Sequence, residues 1–112
     1  MVTVLKNWSM VYLFGLPDGS NMHQRWGRVV IGEVVLDGKQ QIKPGSRLCS
    51  TSILRSPGNL VHTRNGDVYS LFGEGNSLKL PVTQLARLQS LESPQMIAAE
   101  VGESWKSDAP PV

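Results

Sequence analysis

Cys49 and His62 are the two side chains that could pair as a thiol nucleophile and its base. They fall on consecutive strand-like stretches, which permits contact. Yet no signature surrounds Cys49, and a free cysteine in a strand is usually a buried one. Metal chemistry needs closely spaced ligands, and His23, His62 and Cys49 contain no close pair. Residues 73–79 (Gly-Glu-Gly-Asn-Ser-Leu-Lys) have the glycines of a phosphate-cradling loop. They lack the Gly-Lys-Ser/Thr ending and a helix directly after a buried parallel strand, so they read as a glycine turn between strands. The carboxylates are scattered, with no pair placed for general acid–base work. No catalytic residue, metal ligand or cofactor is therefore expected, and the chain reads as a non-enzyme.

Binding chemistry is better represented. Lys39, Lys43, Arg47, Arg55 and Arg64 lie in a span with no acidic residue between Asp37 and Asp67, whereas Glu92, Glu100, Glu103 and Asp108 face only Lys106 near the C-terminus. A basic middle and an acidic end suit an anionic partner, or two ends that attract each other. Lys43, Arg47, Arg55, His62, Arg64 and Tyr69 are the candidate contacts for a partner or a nucleic acid, because small barrels bind single strands through a basic groove with aromatic platforms. Against this stand a net charge of only +2 and a mere 6% aromatic residues, so a solvated basic face is the plainer alternative. Met96, Ile97 and Trp105 are candidates for a homodimer seam or a protein-docking surface, and equally for closing one end of the fold.

Short strands must carry these groups. Asn65-Gly66 between two alternating runs is a strong hairpin signal. A two-residue turn there would pair Arg64 with Asp67, Thr63 with Val68, His62 with Tyr69, Val61 with Ser70 and Leu60 with Leu71. One face would then carry His62, Arg64 and Tyr69 as surface, and the other Val61, Thr63, Val68, Ser70 and Phe72 as core. Residues 8–16 read as a strand, and residues 26–36 as a long central one with a bend or bulge at Gly32. Residues 47–55 alternate as a strand in which small hydroxyl side chains would let a neighbouring backbone or ligand approach. After Pro81 the pattern changes: Val82, Leu85, Leu88 and Leu91 recur every three residues as a short helix, with Val82, Leu85 and Leu88 closing one end of the fold. Ser93-Pro94 starts a second helix, capped by Ser93 and ending at Gly102.

The expected fold is α+β and mostly β: a small twisted antiparallel sheet or partly open barrel with one or two C-terminal helices. One globular domain should span residues 1–105, with strands over about 8–80 and helices over about 81–102, and residues 106–112 form a disordered tail. With 112 residues, 40% hydrophobic and 18% charged, the chain can bury a single core. A lone cysteine excludes an internal disulfide. No apolar run approaches the length of a membrane span and no secretory leader is evident, which points to a cytoplasmic protein without a membrane role.

Residues 32–37 (Gly-Glu-Val-Val-Leu-Asp), 44–52 (Pro-Gly-Ser-Arg-Leu-Cys-Ser-Thr-Ser) and 63–69 (Thr-Arg-Asn-Gly-Asp-Val-Tyr) together resemble small uncharacterised bacterial and prophage-borne proteins. The resemblance covers about the middle half of the chain, and none of its motifs carries a transferable activity. It implies a compact, non-enzymatic interaction or inhibitor module of a mobile element, one that blocks a host defence by binding a host protein or complex. A small β-barrel that binds nucleic acid through its basic strand and hairpin face is the alternative.

Overall fold

The computed structural model describes residues 2–107. In chain order it holds strands β1 (Thr3–Phe14), β2 (Arg25–Asp37), β3 (Arg47–Cys49), β4 (Ile53–Arg55), β5 (Leu60–Thr63), β6 (Val68–Leu71) and β7 (Asn76–Pro81). A 3₁₀ turn, Val82–Gln84, leads into helices α1 (Leu85–Gln89) and α2 (Pro94–Val101), and a second 3₁₀ turn spans Ser104–Ser107. The mostly β, α+β class is as expected, and the sheet is not closed into a barrel.

β1 is the spine. One of its edges pairs antiparallel with β2 along nearly its whole length, and the other is shared by two strands. Thr3 to Leu5 pair in parallel with Tyr69 to Leu71 of β6, and Ser9 to Phe14 pair in parallel with Asn76 to Pro81 of β7. The sheet order is β3-β2-β1-β6-β5-β4, with β7 beside the second half of β1. These two parallel pairings make the sheet mixed, and they went unread because nothing local marks them: parallel neighbours need a long crossover, here the whole of β2 to β5.

The handover from β6 to β7 coincides with a bulge in β1. The register slips between Lys6 and Ser9, where Asn7 takes a positive φ of 49°, and Gly32 lies opposite the slip. The bend anticipated at Gly32 is therefore caused by the neighbouring strand. Trp8 leaves the bulge and donates its indole N–H to the Gly73 carbonyl at 3.3 Å. A Cβ on Gly75 would sit 2.2 Å from the Trp8 ring, so only glycine lets the indole lie there.

The bulge also sorts β1 into two cores. Leu5 and Met10 face Val30, Val34, Ile53, Val61, Tyr69 and Leu71 inside the curl of the sheet. Val11 and Leu13 face outward with Val29, Ile31 and Leu80, and that face is covered by Val82, Leu88 and Ile97 of the helical end. Val82, Leu85 and Leu88, expected to close one end of the fold, pack on this face of the sheet, with Leu85 only partly buried. Ser93 caps α2, accepting from the Met96 N–H at 3.4 Å, with Pro94 in the first turn and Gly102 at the C-cap with φ 69°. Gln95 ties the helix to the sheet through Ser9 Oγ at 3.0 Å. Of the tail expected over residues 106–112, Lys106 and Ser107 belong to the last 3₁₀ turn, and residues 108–112 lie outside the described residues.

The hairpin between β5 and β6 corrects the expected register. Leu60 pairs with Ser70, Val61 with Tyr69 and His62 with Val68, one residue away from the two-residue-turn alignment. The Thr63 N–H donates to the Asp67 carbonyl at 2.9 Å and the Gly66 N–H to the Thr63 carbonyl at 3.1 Å, enclosing a three-residue loop with Gly66 at φ 91°. This is a turn closed by a glycine bulge, the next commonest hairpin loop after the two-residue one. Asn65 favours it by accepting from Thr51 Oγ1 at 2.9 Å and from Thr63 Oγ1, while Thr63 Oγ1 accepts from the Asp67 N–H at 3.0 Å. Because side chains alternate, the slip exchanges the faces of β6. Tyr69 and Leu71 join Val61 and Thr63 inside, Val68 and Ser70 turn half outward, and Phe72 is 64% exposed.

Candidate functional site

The expected contact residues do not form one surface. Tyr69, at 6% exposure, is part of the inner core, and burial, with Asp67 nearby, pushes its phenol up to about 12. This corrects its assignment to the surface face. His62 is half-buried and pairs across the strands with exposed Arg55. Arg47 is exposed on β3 opposite Glu33, and Lys43 is exposed in the loop before it. Lys43 borders a hollow beside Leu36 and Ile42, Tyr69 borders another beside Thr3 and Asp37, and Arg64, at the hairpin tip, joins a third, the one in which arginines gather.

That site is a cleft of about 410 Å³ lined by Arg25, Trp26, Gly27 and Arg28 from the start of β2, Ser52 to Leu54, and Arg64. It lies along the seam where the sheet fails to close. β3 pairs with β2 only over Ile31 to Glu33, and Ser50 then ends the contact: its N–H donates to the Val30 carbonyl at 2.8 Å and its hydroxyl accepts from the Val30 N–H at 2.9 Å. This is the backbone approach that the small hydroxyl residues of this stretch were expected to allow. From there the chain crosses to β5, so β4 faces the first residues of β2 across a gap without ladder bonds. The Arg64 N–H donates to the Ser52 carbonyl at 2.9 Å, which folds the hairpin tip down onto the seam.

A second irregularity aims the side chains. Leu13 of β1 pairs with Gly27 while Phe14 pairs with Arg25, leaving Trp26 as an extra, unpaired residue. Such a bulge rotates a strand's side chains out of strict alternation, and here Arg25, Trp26 and Arg28 all border the same cleft. The Arg25 guanidinium lies 5.3 Å from the centroid of the Tyr12 ring, a cation–π contact that holds it in place. Among the described residues no carboxylate lines the cleft. Among the described residues the ion pairs are Lys39–Asp67, Arg87 with Glu92 and Glu100, and Lys106–Glu103, none of which uses a cleft arginine. Trp26 is 43% exposed and Leu54 57%, so apolar surface adjoins the charge. Arg25, Trp26 and Arg28 were missed as site residues. The signal for them was an indole flanked by arginines within four positions, masked by its place at the start of a strand.

Other candidate chemistry is taken up by the structure. Cys49 packs against the helix-side core, and burial pushes its thiol up to about 11, away from the thiolate a nucleophile requires. Residues 73–75 lead directly into β7, and their glycines receive Trp8. Among the described residues no three His, Cys, Asp or Glu side chains gather as metal ligands. Asp37 is buried, its carboxylate accepting from Thr3 Oγ1 at 2.8 Å and from the N–H groups of Gln41 and Ile42 at 2.9 and 3.0 Å, so it clamps the loop after β2. Ile97 is fully buried beneath its own helix and cannot serve as an interface residue, whereas Met96 is exposed. Trp105 is half-buried against Phe14, with ring centroids 6.0 Å apart.

Searches against protein-family models, curated proteins and solved structures found no match to this chain.

Proposed function

We propose that this protein is a non-catalytic binding module whose arginine cleft recognises an anionic macromolecule. One observation carries the reading: Arg25, Arg28 and Arg64 line a cleft of about 410 Å³ that, among the described residues, has no carboxylate in its lining. Guanidinium groups present planar forks of donors that match phosphate and carboxylate oxygens, and unpaired ones held close together raise the local anion concentration. The mobile-element context implied by the resemblance makes that macromolecule a host's.

Retention on heparin and on immobilised polyphosphate tests the reading. Wild-type protein should bind at low salt and elute as salt rises, and a triple variant, Arg25→Ala, Arg28→Ala and Arg64→Ala, should lose retention while keeping its circular dichroism spectrum. Arg47→Ala with Arg55→Ala, outside the cleft, should elute much closer to wild type. Equal elution of the cleft variant and wild type would remove the cleft from the account.

The protein-interaction module expected from the sequence is the second reading. Exposed Trp26 and Leu54 place apolar surface beside the arginines, a combination that also suits an acidic host protein. Among the described residues no helix is long and apolar enough to cross a membrane.

A further inference from the structure

We infer that the macromolecule in the arginine cleft is a single-stranded nucleic acid, laid across the β2–β4 seam with a base on Trp26 and its phosphates on Arg25, Arg28 and Arg64. The inference rests on the anionic-partner reading and narrows it by three arguments. The first concerns an extended peptide, which would bind at two facing strand edges by adding a strand between them. An added strand needs about 4.8 Å on each side, roughly 9.6 Å in all. Cα atoms of β2 and β4 already approach within 8 Å, and the Gly27 side of β2 comes so close to Ser52 that a Cβ there would lie 3.6 Å from its hydroxyl. The seam is too narrow to be filled by a strand, so a ligand lies over it and is held by side chains.

The second argument separates single strands from duplexes. Duplex bases are read by an element that projects into a groove. The element that could project here, the hairpin tip, is tied down by Arg64 to Ser52, and the cationic surface is concave. A concave site receives a base that has been turned out of a stack, which a single strand supplies without unpairing. The third is the indole. Trp26 is the unpaired residue of its bulge, 43% exposed, and lines the same cleft as Arg25 and Arg28. A nucleotide has a base whose flat π-face suits the indole and a phosphate for the neighbouring arginines, whereas an acidic side chain offers only the anion.

Fluorescence anisotropy with labelled single-stranded 12-mers of deoxythymidine and uridine, the matching duplexes, and labelled poly-glutamate is the test. Single strands should bind at least tenfold tighter than duplex or poly-glutamate, with log affinity falling against log salt at a slope of about −2, near 0.7 per neutralised phosphate for three arginines. Trp26→Ala should weaken single-strand binding roughly tenfold or more. The same variant should elute from polyphosphate at the wild-type salt concentration, and Trp26→Phe should recover most of the single-strand affinity. If duplex or poly-glutamate bound as well as single strands, or Trp26→Ala changed nothing, this inference would fall while the anionic-partner reading stood. If the triple arginine variant bound every polyanion like wild type, both would fall.

Discussion

At the scale of single residues, Asp37 shows how one carboxylate can organise a loop. The hydrogen bond from Thr3 is the main cause that holds its carboxyl below the ordinary value, with burial opposing and the N–H groups of residues 39, 41 and 42 adding to it. A group whose folded pKa is depressed contributes stability that is fully present above its unfolded pKa and is lost as pH falls through the folded one. The contribution of Asp37 should therefore be intact above about pH 5, given an unfolded value near 3.9, and fade on acidification. Urea melts of wild type and Asp37→Asn should differ most near neutrality and converge at low pH. A gap that stays constant down to the acid limb would show that the ionised form is not what clamps the loop.

At the scale of elements, α2 offers two neighbouring apolar residues with opposite fates and an ion-pair network beside them. Ile97 is fully buried and Met96 is 65% exposed, while Arg87 of α1 pairs with Glu92 in the link between the helices at 2.9 Å and with Glu100 of α2 at 2.7 Å. Removing a buried isoleucine side chain costs about 2–5 kcal/mol, whereas exposed ion pairs contribute about 0–1 kcal/mol. Packing, not charge, must hold the helix to the sheet. Denaturant titration should show Ile97→Ala losing about 2–4 kcal/mol, and Met96→Ala or Arg87→Ala less than about 1 kcal/mol. A loss of several kcal/mol in Met96→Ala would mean that its exposed surface is covered in solution, which would revive the dimer seam.

At the scale of the whole molecule, the sheet almost closes, and its open seam is where the charge collects. Val30 turns its N–H toward Ser50, so Arg28, two residues earlier on the same strand, turns its N–H toward the gap. In a closed barrel that amide would be protected by a neighbour. Hydrogen exchange should find the Arg28 amide exchanging much faster than those of Val11 and Leu13 in β1, which is covered by a strand on each side. Slow exchange at Arg28 would mean that the seam is shut in solution and the cleft is not open to a ligand.

The local chemistry of the chain was enough to determine its punctuation. Ser93-Pro94 with Gly102 defined a helix by capping, Asn65-Gly66 defined a hairpin by backbone preference, and the apolar residues 29–31, with Val34, marked a strand buried on both faces. These depend on neighbours within a few residues, so they can be read one stretch at a time. Three things were decided only in the tertiary structure. The hairpin register turned on Thr51 reaching Asn65 from the link between β3 and β4, and a slip of one residue moved Tyr69 from surface to core. The parallel pairings of β1 join strands more than sixty positions apart, with no local mark of either partner. The cleft brings Arg64 to Arg25 and Arg28 across an unclosed seam, and that grouping depends on where the ladder stops, a property of the whole sheet and of no single segment.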